Sequence, residues 1–531
     1  MEKKVYLIIL DGFGIGHHDR GDAIFQAKKP FLDKILQQES ISLLKTHGNC
    51  VGLPEFQTGG SEVGHITIGS GRRVKHLLTK INDQIDSGEF FKNEVLIDLF
   101  EKAKKRDRIH FMGLCSDGGI HSFLPHLFGL QQMAKKFEIK NVYIHAILDG
   151  RDVGERTANE YLKQIEDIGV GSIASVGGRF FVMDRDTNWD RVETHYKVFC
   201  DEKTQLIKQS WQDYLLKFYD KNTDKSDYYV DPVLLKKEGQ IQSDDIVINF
   251  DYRTDRMRQI SSVFCDDEFS EFSRSVKIST ENYGIFGPYF PGAKEPFNFG
   301  DEAIHNTLGE VVSKKGGTQL RISETEKFNH VTFFFSGQRK EPFKGENRIL
   351  VPSPKCSSYA EKPEMSAYEQ TEEALREILK KDYNLVVQNF ANTDLVGHSG
   401  SLDAAKKAVE TVDKCLAKLI PLLRGKGYEV FVTADHGNAD EMFLENGDPN
   451  ASHTKNLVPF VWVGSSKKLR EKGDLGDIAP TILEVLDISK PFEMTGKSLI
   501  GSTKFGFELF FFHTNPCESR NTYVFCLYEQ S

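Results

Sequence analysis

No apolar run in the 531-residue chain approaches the length that crosses a bilayer. Cysteine is sparse: eight residues, scattered, with no CxxC pair. That argues against a disulfide scaffold and points to a reducing, cytoplasmic setting. The opening "MEKKVYLIILDG" reads as a strand running into a loop, ended by Asp11 too soon for a targeting helix. Positive charge does not prevail. The net charge is -10, so no nucleic-acid surface is expected, and an anion must be met by a local basic cluster. No GxxxxGK[ST] run is present, and "GFGIGH" from Gly12 has His17 where a dinucleotide loop needs its third glycine. Internal repeats and low-complexity tracts are missing too. With 39% hydrophobic and 27% charged residues the chain is globular, and its length calls for more than one core.

What is there is a series of short apolar runs, each ended by polar residues. "VYLIIL" precedes Asp11, "NLVVQNF" precedes "ANTD", "YEVFVTA" precedes Asp435, and "LVPFVWVG" follows His453. Such runs suit strands buried on both faces. Between them, "AYEQTEEALREILKK" and "LDAAKKAVETVDKCLAKLIPLL" read as amphipathic helices. Alternation of the two predicts an α/β domain with a mostly parallel sheet, built from residues 1–75 and 310–503. The stretch 76–309 has strand-like runs of its own ("RIHFMGL", "VYIHAILDG", "GSIASVGG", "DIVINFDY") and is expected to form a second, inserted α/β domain. The aromatic-rich tail 504–531 reads as an extra strand or a non-native extension.

Metal-type residues sit at the ends of these strands: Asp11, Asp394 and His398 in "ANTDLVGHSG", Asp435 and His436 in "TADHGN", and His453 in "NASHTKN". An Asp after a strand is commonly only a helix cap, and a lone His is usually surface or core. Six at the same kind of place, where the carboxyl ends of parallel strands converge, form a site. Oxygen and nitrogen donors without thiolate suit Mn²⁺, Zn²⁺ or Mg²⁺, and the set is large enough for two ions. Ser61, in "QTGGSEVGHITIGSGR", supplies a hydroxyl on a glycine-rich backbone that a metal could activate to accept a phosphoryl group.

The middle of the chain concentrates arginine beside glycine and aspartate: Arg151 and Asp152 in "LDGRDVG", Arg179, Arg185 and Arg191 in "GGRFFVMDRDTNWDR", and Arg253, Arg256 and Arg258 in "NFDYRTDRMR". "SDGGIHSF" adds His121. Guanidinium forks match phosphate and carboxylate oxygens, so a small anion carrying both is the expected ligand, and Asp152 is a candidate acid or base.

These motifs, with "SETEKFNHVTFFFSG", "VPSPK", "PEMSAY" and "SHT", run in order over nearly the whole chain. Together they resemble the cofactor-independent phosphoglycerate mutases of the alkaline phosphatase superfamily. The resemblance implies a three-layer α/β/α metal domain carrying the insert, and interconversion of 3- and 2-phosphoglycerate through a phosphoserine on Ser61. It also implies two Mn²⁺ or similar ions (Mg²⁺, Co²⁺ or Zn²⁺), no bisphosphoglycerate, and a monomer. Carried over by position, Asp11, Ser61, Asp435 and His436 would hold one metal, and Asp394, His398 and His453 the other. His121, Arg151, Asp152, Arg179, Arg185, Arg253, Arg256 and Lys327 would bind the phosphoglycerate, with Asp152 moving protons. The alternatives are a metal-dependent phosphatase or a phosphopentomutase of the same superfamily, or a binding protein that has lost its chemistry. The chain departs from the family where Gly60 replaces the usual Asn before the nucleophile, where "LDGRDVGE" lacks the usual prolines, where "SGQRK" stands for "SGGRE", and in its tail.

Overall fold

The computed structural model describes residues 2–38, 40–296, 304–444 and 446–501; the expectation for the tail lies outside them. Two sheets organise the described residues. The first has eight strands. In spatial order they are Glu346–Val351, Gln319–Glu324, Leu385–Phe390, Val5–Leu10, Glu429–Thr433, Val458–Val463, Ser40–Lys45 and Lys472–Asp474. Val458–Val463 runs antiparallel to both neighbours, and the other pairings are parallel. The central strand Val5–Leu10 is buried along its whole length, as its unbroken apolar run requires.

Helices cover both faces. Pro30–Gln38, Ala367–Lys380 and Leu402–Gly425 pack together in one group, and Ser61–Ser70, Leu308–Lys314 and Ile478–Val485 in another, which gives three layers. In the long helix Leu402–Gly425, Ala405, Val409, Val412, Leu416, Leu419 and Leu423 recur at three- and four-residue steps and are buried, and the Ser401 hydroxyl accepts from the Ala404 N–H to start it.

The second sheet has six strands: Val233–Leu234, Ser172–Gly178, Asn141–Leu148, Arg108–Leu114, Val247–Asn249 and Tyr283–Ile285. All pair in parallel except Val233–Leu234, and two separate apolar cores flank the sheet. Its strands come from 108–285, and those of the first sheet from before and after that stretch. The protein is thus a two-domain α/β molecule. Among the described residues no helix is long and apolar enough to cross a membrane.

The strands absent from the sequence reading are the ones without apolar runs. In Gln319–Glu324 the polar Gln319, Arg321, Ser323 and Glu324 are all buried, so the pattern reads as surface while the strand lies inside.

Candidate active site

Parallel register puts the ends of three neighbouring strands at one edge: Leu10 faces Phe390, and Ile9 faces Thr433. Asp11 follows the first directly. Asp394 lies in the helix Asn392–Gly397 after the second, and Asp435 and His436 follow the third. Because Val458–Val463 runs the other way, His453, which precedes it, returns to the same edge. Ser61 opens the helix Ser61–Ser70, whose free N–H groups and positive end suit an anion. Glycines make the approach possible. A Cβ on Gly12, at φ 73°, would lie 2.7 Å from the Asp394 Cα, and one on Gly64 would lie 3.0 Å from the Asp435 Cβ.

The Ser61 hydroxyl is the meeting point. Its Oγ lies 3.0 Å from Asp11 Oδ1 and 2.9 Å from His436 Nε2, and it accepts a 2.6 Å hydrogen bond from Lys327 Nζ. Lys327 also donates to Asp11 at 2.8 Å and to Asp394 at 2.6 Å. Burial lowers its pKa, but the carboxylates of Asp11, Asp394 and Asp435 more than offset this and hold it above the ordinary lysine value. Asp394 is kept well below the ordinary range, burial notwithstanding, by Lys327, His398 and His453.

Among the described residues two groups have ligand atoms close enough to share a cation: the buried Asp11, Asp435 and His436, and the buried Asp394 and His436 with the half-buried His453. His436 is common to both. His398 stands at the rim, its Nε2 3.2 Å from Asp394 Oδ1 and 3.1 Å from His453 Nε2. The donors fit hard or borderline divalent ions. Asp435 Oδ2 is sealed in the protein with no aligned hydrogen bond, although His65 Nδ1 lies 3.2 Å away, so a ligand atom is left over for a cation.

His65 and Asn389 escaped the sequence reading. His65 donates from Nδ1 to the Ser61 carbonyl at 2.8 Å, and Asn389 Nδ2 donates to Asp11 Oδ2 at 2.7 Å and meets His65 Nε2 at 3.1 Å. They orient the nucleophile's turn and a carboxylate together. The signal for His65 was its place four residues after Ser61, one turn along the same helix face.

Arg253 and Lys327 line a cleft of about 490 Å³ with Ser61, Asp394, His398 and His453. The other residues expected to bind substrate follow the carboxyl ends of the second sheet's strands, where ligands of parallel sheets bind. Arg179 donates to Asp149 Oδ1 and Asp152 Oδ2, both at 2.6 Å. His121 Nε2 is 3.8 Å from Asp152 Oδ2. Burial raises the pKa of Asp152, partly offset by Arg179. Arg185 and Arg253 share Asp255, at 2.9 and 3.1 Å, and Arg256 donates to the Met183 carbonyl at 2.9 Å. Arg151 is exposed; its backbone N–H, like that of Asp152, is held by Asp149 Oδ1. Asp149, fully polar-bonded and buried between them, is the organiser that the sequence reading missed.

The helix that carries Lys327 is braced from below. Glu324, buried at its start, accepts from the Ser353 hydroxyl at 2.8 Å, and the Ser353 N–H donates to Thr325 Oγ1 at 3.1 Å. Burial pushes the Glu324 carboxyl up to about 7 from 4.5. A carboxyl with a raised folded pKa is penalised as pH climbs from the unfolded value to the folded one. Glu324→Gln, which cannot ionise, therefore gains in melting temperature relative to the parent between pH 4.5 and 7, with a plateau above. A melting difference that stays flat across that window counts against a buried, raised carboxyl.

Comparison with known proteins places this architecture. A model of the Metalloenzyme superfamily matches residues 3–490, so the chain is a member of that class of metal-dependent enzymes. The 2,3-bisphosphoglycerate-independent phosphoglycerate mutase of Clostridium novyi (strain NT) is 45% identical over 512 residues, 94% of this chain and 99% of the relative. That of Clostridium botulinum (strain Langeland) is 46% identical over 511 residues, with the same coverage. A crystal structure of Leishmania mexicana phosphoglycerate mutase, at low cobalt concentration, is 30% identical with a TM-score of 0.71, covering 94% of this chain and 98% of that one. Within its superfamily the chain belongs to the 2,3-bisphosphoglycerate-independent phosphoglycerate mutases. It is an isomerase with a small-molecule substrate, and the phosphatase and phosphopentomutase alternatives are not favoured.

Proposed function

We propose that the protein interconverts 3-phosphoglycerate and 2-phosphoglycerate through a phosphoserine on Ser61. The observation that carries this is the convergence on one hydroxyl: Asp11, His436 and Lys327 all lie within 3.0 Å of Ser61 Oγ at a helix N-terminus. That oxygen attacks phosphorus as the alkoxide, its negative charge held by Lys327, and is the alkoxide again when it leaves, so no proton of Ser61 is left over in the cycle. The bond from phosphorus to the glycerate O3 breaks, and O3 takes a proton. Asp152, oriented by Arg179 and raised by burial, is placed to give that proton and to take one from O2. O2 then attacks the phosphoserine, and Ser61 Oγ leaves. The arginines around Asp149 and Asp255 hold the glycerate carboxylate while it turns over.

Asp11, Asp435 and His436 with Ser61 would hold one divalent ion, and Asp394, His398 and His453, with His436 within reach, the other. When bound, two Mn²⁺ ions supply the positive charge that a transferring phosphoryl group needs. In this reading residues 1–75 and 310–503 form the metal domain, 76–309 is the inserted substrate domain, and closure of one over the other excludes water. The enzyme works as a cytoplasmic monomer.

Brief incubation with 3-phosphoglycerate, acid quench and peptide mass analysis tests the intermediate. Phosphate on the peptide containing Ser61 is the expected result, and phosphate on another residue, or on none under turnover, contradicts it. Gly60 adds a second test. Its backbone is extended, at φ -161°, and a Cβ would meet only the His453 ring at 3.6 Å, so a side chain fits. Gly60→Asn supplies an amide beside the phosphoryl site and should raise kcat by about 3- to 10-fold, the effect of one added neutral hydrogen bond. An unchanged or lower kcat means that position 60 does not contact the phosphoryl group.

A further inference from the structure

His330 has no role in the reaction as described so far, yet it lines the same cleft as Ser61, Lys327 and Arg253. The helix Thr325–Asn329 carrying Lys327 runs directly into a widened π turn, His330–Phe334, closed by the Phe335 N–H on the His330 carbonyl at 3.0 Å. Such turns are rare in helices and frequent at functional sites. Here the turn puts His330 one turn after Lys327, on the side that faces the cleft.

The ring is held by packing, not by hydrogen bonds. It meets His65 edge to face, with centroids 5.4 Å apart, and lies 5.3 Å from the Phe334 ring. Its Nδ1 is sealed in protein with no partner. Nε2 is therefore the nitrogen open to the cleft. A bare lone pair in the interior is less costly than an orphaned N–H, so the proton belongs on Nε2. Burial, the neighbouring Lys327 cation and His65 push the pKa of the ring down to about 2, so the imidazole stays neutral.

We propose that His330 is a further catalytic residue, a neutral donor whose Nε2–H hydrogen-bonds an oxygen of the transferring phosphoryl group beside Lys327. No proton is transferred. A second cation here would repel Lys327, whereas a neutral N–H stabilises the phosphoryl charge without that cost. The proposal rests on the phosphoserine reading of Ser61.

Two variants, compared with the parent, test it: His330→Phe, which keeps both ring contacts and removes the donor, and His330→Gln, whose amide nitrogen can reach the position of Nε2. In His330→Phe, kcat should fall about 10- to 100-fold, the cost of one lost donor at a charged transition state. The inhibition constant of inorganic phosphate against 3-phosphoglycerate should rise about tenfold, with melting temperature unchanged. His330→Gln should recover turnover to within about fivefold of the parent. The proposal is overturned if His330→Phe turns over within about threefold of the parent, or if the Gln and Phe variants are equally impaired. If the parent itself fails to isomerise phosphoglycerate, the mutase reading falls instead; direct phosphate binding to the parent and the Phe variant, by calorimetry, then still decides whether His330 is an anion donor.

Discussion

Ser61→Ala should abolish mutase turnover, by about 10⁴-fold or more, the loss typical of a removed nucleophile. The hydroxyl is buried, and it is the one atom that Asp11, His436 and Lys327 reach together. Alanine leaves those three groups and the helix that starts at residue 61 in place, because that helix is started by the backbone of Gly60 with no side-chain cap. Ser61 Oγ is only one of the four groups offered to the ion of Asp11, Asp435 and His436, so Mn²⁺ binding, followed by calorimetry, should weaken there but persist, and binding of 3-phosphoglycerate should change little. Retained turnover in the alanine variant would mean that the phosphoryl group passes directly between substrate oxygens or through another residue. Loss of turnover together with loss of metal binding would mean that Ser61 Oγ is a ligand first and a nucleophile second.

Lys327→Met should lose both stability and activity, and a divalent ion should separate the two. In the metal-free protein the lysine is the cation shared by buried Asp11 and Asp394, at 2.8 and 2.6 Å. Removing one partner of a buried ion pair leaves uncompensated charge and costs about 3–5 kcal/mol. Unfolding in denaturant with a chelator present should show that loss. Mn²⁺ binds only the folded cluster, so saturating ion should restore much of the stability through mass action, about 2.7 kcal/mol at 100 times its dissociation constant. Turnover should not follow, staying about 10²- to 10³-fold down, because Lys327 Nζ also donates to the attacking oxygen. Equal stability of parent and variant in chelator would show that the carboxylates do not need this cation.

Much of this site was legible in the sequence, and the reasons are physical. A strand buried on both faces must be apolar, so "VYLIIL", "NLVVQNF", "YEVFVTA" and "LVPFVWVG" announce themselves, and the polar residue that ends each run marks the sheet edge. Asp11, Asp435 and His436 came together because strand ends in a parallel sheet come together. His453 joined them for a less visible reason, the antiparallel direction of the strand after it. Polar residues that serve other polar residues left no such trace. Asn389 looks like one more strand residue, although it ties Asp11 to His65. Asp149 is two residues from Arg151 and three from Asp152, the pair that drew notice, and it positions both. Glu324 and Arg321 hide in a strand that reads as surface because four of its six residues are polar, although all six are buried. Pairing of this kind depends on three-dimensional neighbours, and spacing along the chain does not encode it.

A coupled assay on the purified protein separates a mutase from a phosphatase in one experiment. 3-Phosphoglycerate, excess enolase and Mn²⁺ are supplied without 2,3-bisphosphoglycerate, and free phosphate is followed in parallel. Steady formation of the enolase product is expected, abolished by EDTA and restored by Mn²⁺, with little phosphate released. Phosphate release without enolase product would contradict the mutase reading, for Ser61 would then be handing its phosphoryl group to water.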